Sequence, residues 1–305
     1  LKLIERFPIG DREQGYGFGA TRTLNVMIEA MRLAFSDRAI WMGDEDFVDL
    51  PAEGLLHHDY IARRSATIDP DSRLANVAAD DPRPFDGTGL KTGSRLAGTS
   101  PGIPGGVNTT HFTIIDREGN IVSYTSTIES AWGTGLMVPG YGFLLNNELT
   151  DFNLKPSYNP DPENFNPGAN DVAPHKRPRS SMAPTMVFQG ERPLAAYGSP
   201  GGSTIIDSVV NISMNLIDHG MDVQRAVDAP RIAQTSANGN VGREIGFSEA
   251  VMQALESLGH ELRSPADMGS VQAVVIDHQH GLQYGAADRR RVGAVVSLRD
   301  KEIPR

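Results

Sequence analysis

Leu24, Met27, Ile28, Met31, Ala34 and Phe35 recur at intervals of three and four residues. That period lines one face of an α-helix and predicts a helix over residues 20–41, after the glycine-punctuated loop 15–19. Glu29, Arg32 and Arg38 alternate with the apolar set, so the pattern predicts that these charges face solvent. The acidic run 43–46 lacks calcium-loop spacing and predicts a solvated turn. At residue 109 the period drops to two. Residues 109–115 and 120–127, joined by Asp116-Arg117-Glu118-Gly119, predict a hairpin that returns Thr125 and Thr127 beside Thr109. Residues 141–145 predict a short buried strand, and 183–188 with 194–197 a second hairpin across Gln189-Gly190. In a helix predicted over 204–219, Ile205, Val209, Ile212 and Leu216 share a broad apolar face, with Ser203 as N-cap and Gly220 as C-cap. Helices over 223–229 and 248–258, stopped by Pro230 and Gly259, and a last hairpin of 271–277 with 282–286 complete the pattern.

Two stretches carry no period. Residues 76–108, rich in Gly, Pro, Asp and Ser, predict an exposed, flexible connection that suits either a processing junction or an ordinary linker. Residues 153–178, rich in Pro and Asn, suit either a lid or a plain surface loop. Strand blocks flanked by helices predict stacked sheets with helical outer layers, in the α+β class, without internal repeats.

Composition narrows the function. The 305 residues suffice for a sizeable core, and no apolar run approaches the roughly 18 residues of a membrane span. Twenty-eight basic against 38 acidic residues give −10, which argues against a nucleic-acid surface and favours small-molecule or peptide substrates. The absence of cysteine removes disulfides, thiolate metal sites and a Cys nucleophile, but leaves the compartment open. The start at Leu1, without Met or a signal-like apolar run, reads as a piece of a longer protein. The eight histidines, including His57-His58 and His278 with His280, show no metal spacing and read as surface residues; no cofactor is expected.

The candidate chemistry begins at Thr109, where loop becomes strand. Cut at Asn108–Thr109, that residue would carry a hydroxyl and an α-amine of pKa about 8, able to take the hydroxyl proton. Thr is also an ordinary strand residue, so the Thr109-Thr110 pair alone decides nothing. Gly198-Ser199-Pro200-Gly201-Gly202-Ser203 lies between a predicted strand and helix, where the N–H groups of Gly201 and Gly202 suit an oxyanion hole. A phosphate cradle would want a following Lys, and a simple glycine turn is the plainer reading. Glu148 and Asp151 suit a substrate ammonium or a solvated turn; Ser180 and Ser181, behind Lys176-Arg177-Pro178-Arg179, suit a carboxylate or a polar loop. His111 alternates within its strand and is given no catalytic part.

These blocks together resemble the γ-glutamyltranspeptidases. The resemblance is carried by Thr109-Thr110-His111-Phe112-Thr113-Ile114-Ile115-Asp116, by Thr127 with Glu129 and Trp132-Gly133-Thr134-Gly135, by Leu144 to Phe152, by Lys176 to Thr185 and by Gly198 to Ser203, in family order. It implies a four-layer αββα sandwich of the N-terminal-nucleophile type, cleavage before Thr109, and a mature heterodimer from one precursor. Residues 1–108 would then end the large subunit, most of which lies upstream, and 109–305 would be the small catalytic subunit. It implies Thr127 as orienting residue, Gly201 and Gly202 as the oxyanion hole, Glu129, Glu148 and Asp151 toward the γ-glutamyl α-amine, and Ser180 and Ser181 toward its α-carboxylate. The carboxylate-binding Arg is expected upstream of this chain. Water or an amino acid would accept the acyl group, in a periplasmic or extracellular setting by resemblance, with a cytoplasmic one left open. Two departures are visible: Glu129 stands where Asn is commonest, and residues 153–178 lack the usual lid residues. Glutaryl-type acylases, and an unprocessed inactive homologue, are the alternatives.

Overall fold

In the computed structural model, which describes residues 1–87, 109–154 and 168–297, the first apolar period forms α1 (Thr21–Trp41). It is buried on nearly every side. Leu24, Val26, Met27, Ile28, Met31 and Leu33 enter a core with Leu3, Ile4 and Phe7 of the N-terminal turns and with Met214, Ile232, Met252 and Leu255 from far along the chain. Burying each such side chain contributes about 1.5–3 kcal/mol. The prediction that Glu29 and Arg32 face solvent is corrected: they are 0% and 1% exposed. The charges are paired inside the protein: Arg32 Nη1 donates to both Glu29 oxygens at 2.8 Å and to Leu74 O, and its Nε donates to Ala237 O, while its Nη2 is buried without a hydrogen-bond partner among the described residues. Buried His260 hydrogen-bonds Asn25 Oδ1 at 2.7 Å on the same face, so this histidine also departs from the surface reading.

Two short helices that carry no clear sequence period follow, α2 (Ala52–Leu56) and α3 (His58–Ser65). Arg64 of α3 pairs with Asp37 of α1 at 2.8 Å, both buried. The acidic turn is only partly solvated: Asp44 is buried under the guanidinium and backbone N–H of Arg177, which hold its carboxyl well below the usual range.

The strand-rich part contains β1 (Thr109–Ile115), β2 (Ile121–Thr127), β3 (Thr185–Gln189) and β4 (Arg192–Gly198), then α4 (Thr204–Ile217), α5 (Val223–Asp228), β5 (Ile232–Ala233), β6 (Gly242–Arg243), α6 (Glu249–Ser257), β7 (Gln272–Asp277) and β8 (Leu282–Ala287). β3, β4, β7 and β8 form an antiparallel sheet in that order. The β1–β2 hairpin packs on β4 and β7 across one face, and α4 and α5 cover the other. Tyr197, Val209, Ile212, Val227 and Val271 fill the space between sheet and helices. The result is an α+β fold in which helix, sheet and sheet lie in successive layers. Because Met214 of α4 enters the first core while Val209 and Ile212 enter the second, α4 ties the halves together.

The hairpin is amphipathic in an unexpected sense. Its face toward the larger sheet carries Thr109, His111, Thr113, Ser123, Thr125 and Thr127, whereas Phe112, Ile114, Val122 and Tyr124 point outward and are exposed. No described residue supplies a fourth, helical layer over that apolar face. The expected buried strand at 141–145 is also corrected. Gly140 and Gly142 adopt φ of 82° and 77°, a turn closes from Val138 N to Phe143 O, and Tyr141 is 83% exposed. Ser203 occupies the N-cap of α4 but in helical geometry, and its side chain makes no capping bond. Asn108 and most of the predicted processing segment lie outside the described residues, as do 155–167 of the second irregular stretch.

Candidate active site

The hairpin register places Thr109 directly across from Thr127. Thr109 Oγ1 donates to Thr127 Oγ1 at 3.0 Å, and the same Thr127 oxygen accepts the backbone N–H of Glu129 at 2.8 Å. Thr127 therefore fixes the Thr109 hydroxyl and the path of the chain leaving β2. That path is strained: Glu129 sits at φ 68°, a left-handed conformation in which Asn is commoner than Glu. Its carboxylate accepts short hydrogen bonds from Ser130 Oγ and Asn147 Nδ2, while Ser130 N–H donates to Asn147 Oδ1 at 2.9 Å. These bonds clamp the end of β2 to the short 3-10 helix Glu148–Asp151.

Three carboxyls converge there. Burial pushes Glu148 up to about 7, reinforced by the charge of Asp151, a shared hydrogen bond with it, and the charge of Glu129. Asp151 is likewise raised, chiefly by burial and then by Glu129, and is pulled back by Glu148, Arg38 and Arg179. Two facing carboxyls hold one proton between them more cheaply than they hold two charges.

Asn170, buried, links this acidic pair to the basic side of the site. Its Nδ2 donates to Asp151 O at 2.7 Å and its Oδ1 accepts Arg179 N–H at 2.8 Å. Next come Ser180 and Ser181, and here Arg38 of α1 returns, half buried instead of solvated. Its Nη2 donates to Ser180 O at 3.0 Å and to Ser181 Oγ at 2.9 Å. Burial and the neighbouring Arg179 guanidinium bring Arg38 down to about 9, which leaves it charged at neutral pH; Asp151 and Asp207 act in the opposite direction. Asp207, 1% exposed in the first turn of α4, is pushed up to about 8 by burial against the pull of the Gln234 N–H and Arg38.

The glycine loop follows β4. Gly201 and Gly202 adopt φ of 140° and 58°, and neither N–H is hydrogen-bonded among the described residues, although both precede the N-terminus of α4. β1 lies against the start of this loop. A Cβ on Gly198 would stand 2.4 Å from His111 Cε1, so the glycine is required by the close approach of the imidazole. His111 hydrogen-bonds Thr125 Oγ1 at 2.8 Å and Thr113 Oγ1 at 3.2 Å. Burial lowers it to about 4, so it packs as a neutral ring and is not a surface histidine. A cavity of about 360 Å³ runs along β1 between the sheets, touching Thr109, Pro200, Gln272 and Val295. Glu148, Asp151, Ser180 and Ser181 do not line it, so the polar groups form a separate rim.

The structure thus brings Thr109, Thr127, Glu129, Glu148, Asp151, Ser180 and Ser181 into one polar region through hydrogen bonds and the facing carboxyls, while the Gly201-Gly202 loop follows β4, on which β1 packs. Arg38, Asn147 and Asn170 are members that sequence reading missed, as it missed Asp207, whose buried carboxyl makes no hydrogen bond to them and acts on Arg38 through charge. Only Asp207 carried a signal, as an acid within the apolar run after the glycine loop. Among the described residues no three His, Cys, Asp or Glu side chains could hold a metal ion, and no helix is long and apolar enough to cross a membrane.

Residues 1–298 match the family model described as Gamma-glutamyltranspeptidase. The chain is 40% identical over 299 residues to a glutathione hydrolase proenzyme of Bacillus subtilis (strain 168), covering 98% of this chain and 48% of that protein. It is 35% identical to the acylase ACY 1 proenzyme of Pseudomonas sp. (strain SE83), covering 98% and 47%. It therefore spans about half the length of the curated relatives it matches. A structure of an acivicin-inhibited gamma-glutamyltranspeptidase superposes with a TM-score of 0.54 at 38% identity, over 60% of this chain and 98% of the matched chain.

Proposed function

Because this chain belongs to the gamma-glutamyltranspeptidase family, we propose that the protein containing it is an N-terminal-nucleophile enzyme that transfers or hydrolyses γ-glutamyl amides after Asn108–Thr109 is cut. The observation that carries the reading is the Thr109–Thr127 hydroxyl pair, set at the first residue of β1 and connected to the carboxyl cluster through Glu129. The freed α-amine takes the Thr109 hydroxyl proton while Oγ1 attacks the amide carbonyl. Gly201 and Gly202 N–H groups receive the oxyanion, each worth roughly 3–4 kcal/mol of barrier. The C–N bond breaks, the leaving amine takes the proton, and water or an amino acid then removes the acyl group from Thr109. Glu148 and Asp151, with Glu129 behind them, hold the substrate ammonium; Ser180 and Ser181 hold its carboxylate.

Three carboxyls at one end of the site favour an amine-bearing acyl group over the glutaryl-type alternative. The matched chain of the acivicin-inhibited enzyme spans little more than half of this chain, as a small subunit beginning near Thr109 would. We assign residues 1–108 to the end of the large subunit and 109–305 to the small one. Residues from both sides share one core, so they would stay associated after cleavage. The open apolar face of β1–β2 supports an upstream portion that covers it.

Replacing Thr109 by Ala in the full-length precursor is expected to abolish both cleavage, read by intact mass, and turnover of γ-glutamyl p-nitroanilide. A wild type that remains one chain yet turns over that substrate would exclude the mechanism, and a wild type inert in both assays would favour the unprocessed homologue.

A further inference from the structure

We propose that Arg38 is a positioning residue that occupies a lone pair of Ser181 Oγ, turns the hydroxyl proton toward the substrate, and so selects acyl donors carrying an α-carboxylate; the inference rests on the γ-glutamyl reading of the site. A serine hydroxyl has one proton to give. Its oxygen has two lone pairs, and once an N–H occupies one of them the hydroxyl proton is turned away from that donor. Both serines are held this way: Ser180 Oγ accepts Met182 N–H at 3.1 Å, and Ser181 Oγ accepts Arg38 Nη2 at 2.9 Å. Two adjacent hydroxyls presented as donors recognise an anion, and a carboxylate has two oxygens to receive them.

Arg38 is built into this role. The same Nη2 also holds Ser180 O at 3.0 Å, and Arg179 Nη1 donates back to Arg38 O at 2.9 Å. The loop carrying the serines is therefore stapled to α1 from both directions, and α1 is anchored along most of its length in the first core. The guanidiniums of Arg38 and Arg179 are near enough to repel each other. Asp151 offsets part of that charge from one side and Asp207 part of it from within α4. Arg38 acts through Ser181 and needs no contact with the reacting carbonyl.

The test uses the full-length enzyme with Arg38→Gln and, should that variant not fold, Arg38→Lys, whose single point donor cannot hold both partners. Two donors are compared: γ-glutamyl p-nitroanilide, and 4-aminobutyryl p-nitroanilide, which keeps the ammonium and lacks the α-carboxylate. Losing an ion-assisted hydrogen bond should raise KM for the γ-glutamyl substrate about 10- to 100-fold. Its kcat should change little, and kcat/KM for the decarboxy substrate should stay within about twofold of wild type. Ser181→Ala should then add little on top of Arg38→Gln. Equal losses on both substrates, unchanged γ-glutamyl kinetics, or fully multiplicative effects of the two substitutions would each overturn the inference while leaving the γ-glutamyl reading intact. A wild type that turns over neither substrate would remove the reading itself, and this inference with it.

Discussion

Arg32→Ala separates a surface charge from a buried one. On a solvated helix face its effect would lie within about 0.5 kcal/mol. In the structure Arg32 is 1% exposed and supplies two bonds to Glu29, one to Leu74 O and one to Ala237 O. Truncation leaves Glu29, which is fully buried, without its guanidinium partner and with only the Leu74 N–H, His260 and the Arg73 charge near it, and removes the donor from two carbonyls. Breaking a buried pair on one side costs about 3–5 kcal/mol. At about 2–4 °C per kcal/mol, Tm should fall by roughly 6–20 °C. The deficit should depend on pH with a definite sign. Burial already raises the Glu29 carboxyl above its ordinary value, against the pull of Arg32. Without Arg32 it rises further, so folded Glu29 can take up a proton at low pH and shed the unpaired charge. The loss should therefore be larger at pH 8 than at pH 5. Thermal and urea denaturation of the full-length protein at both pH values reads this directly. A change below about 0.5 kcal/mol, or a deficit that shrinks as pH rises, would refute the buried-pair argument.

Two further outcomes follow from the carboxyl cluster. With Glu148 pushed up to about 7, kcat/KM for a γ-glutamyl anilide should fall as pH drops below about 7, because the protonated carboxyl no longer attracts the substrate ammonium; Glu148→Gln should lower the plateau and flatten that limb. Glu129→Asn should relieve the φ 68° backbone by about 1 kcal/mol in stability and move the acid limb to lower pH, since one charge that raises Glu148 disappears. A pH profile and melting curve indistinguishable from wild type would show that Glu129 neither strains the turn nor reaches Glu148.

Local pattern determined much of the element list. The three-and-four spacing from Leu24 to Phe35 and from Ile205 to Leu216 specified α1 and α4, and the Asp116–Gly119 turn set the hairpin register that pairs Thr109 with Thr127. The motif set also sufficed to point to the family, because those motifs hold chemistry at nearly fixed spacing. What the chain could not reveal by itself was which face of each element is inside. Glu29 and Arg32 look like surface charges until Leu74 and Ala237, distant in sequence, close around them. In β1 and β2 the alternation is plain but its sense is inverted: the polar Thr and His side face the larger sheet, and the apolar side lies open. Residues 141–145 read as core by composition, yet two glycines turn them outward. Arg38 is the clearest case. Period assigns it to solvent, and only the packing of α1 against the 179–181 loop brings its guanidinium to Ser181, because a hydrogen bond across 143 residues leaves no trace in local spacing.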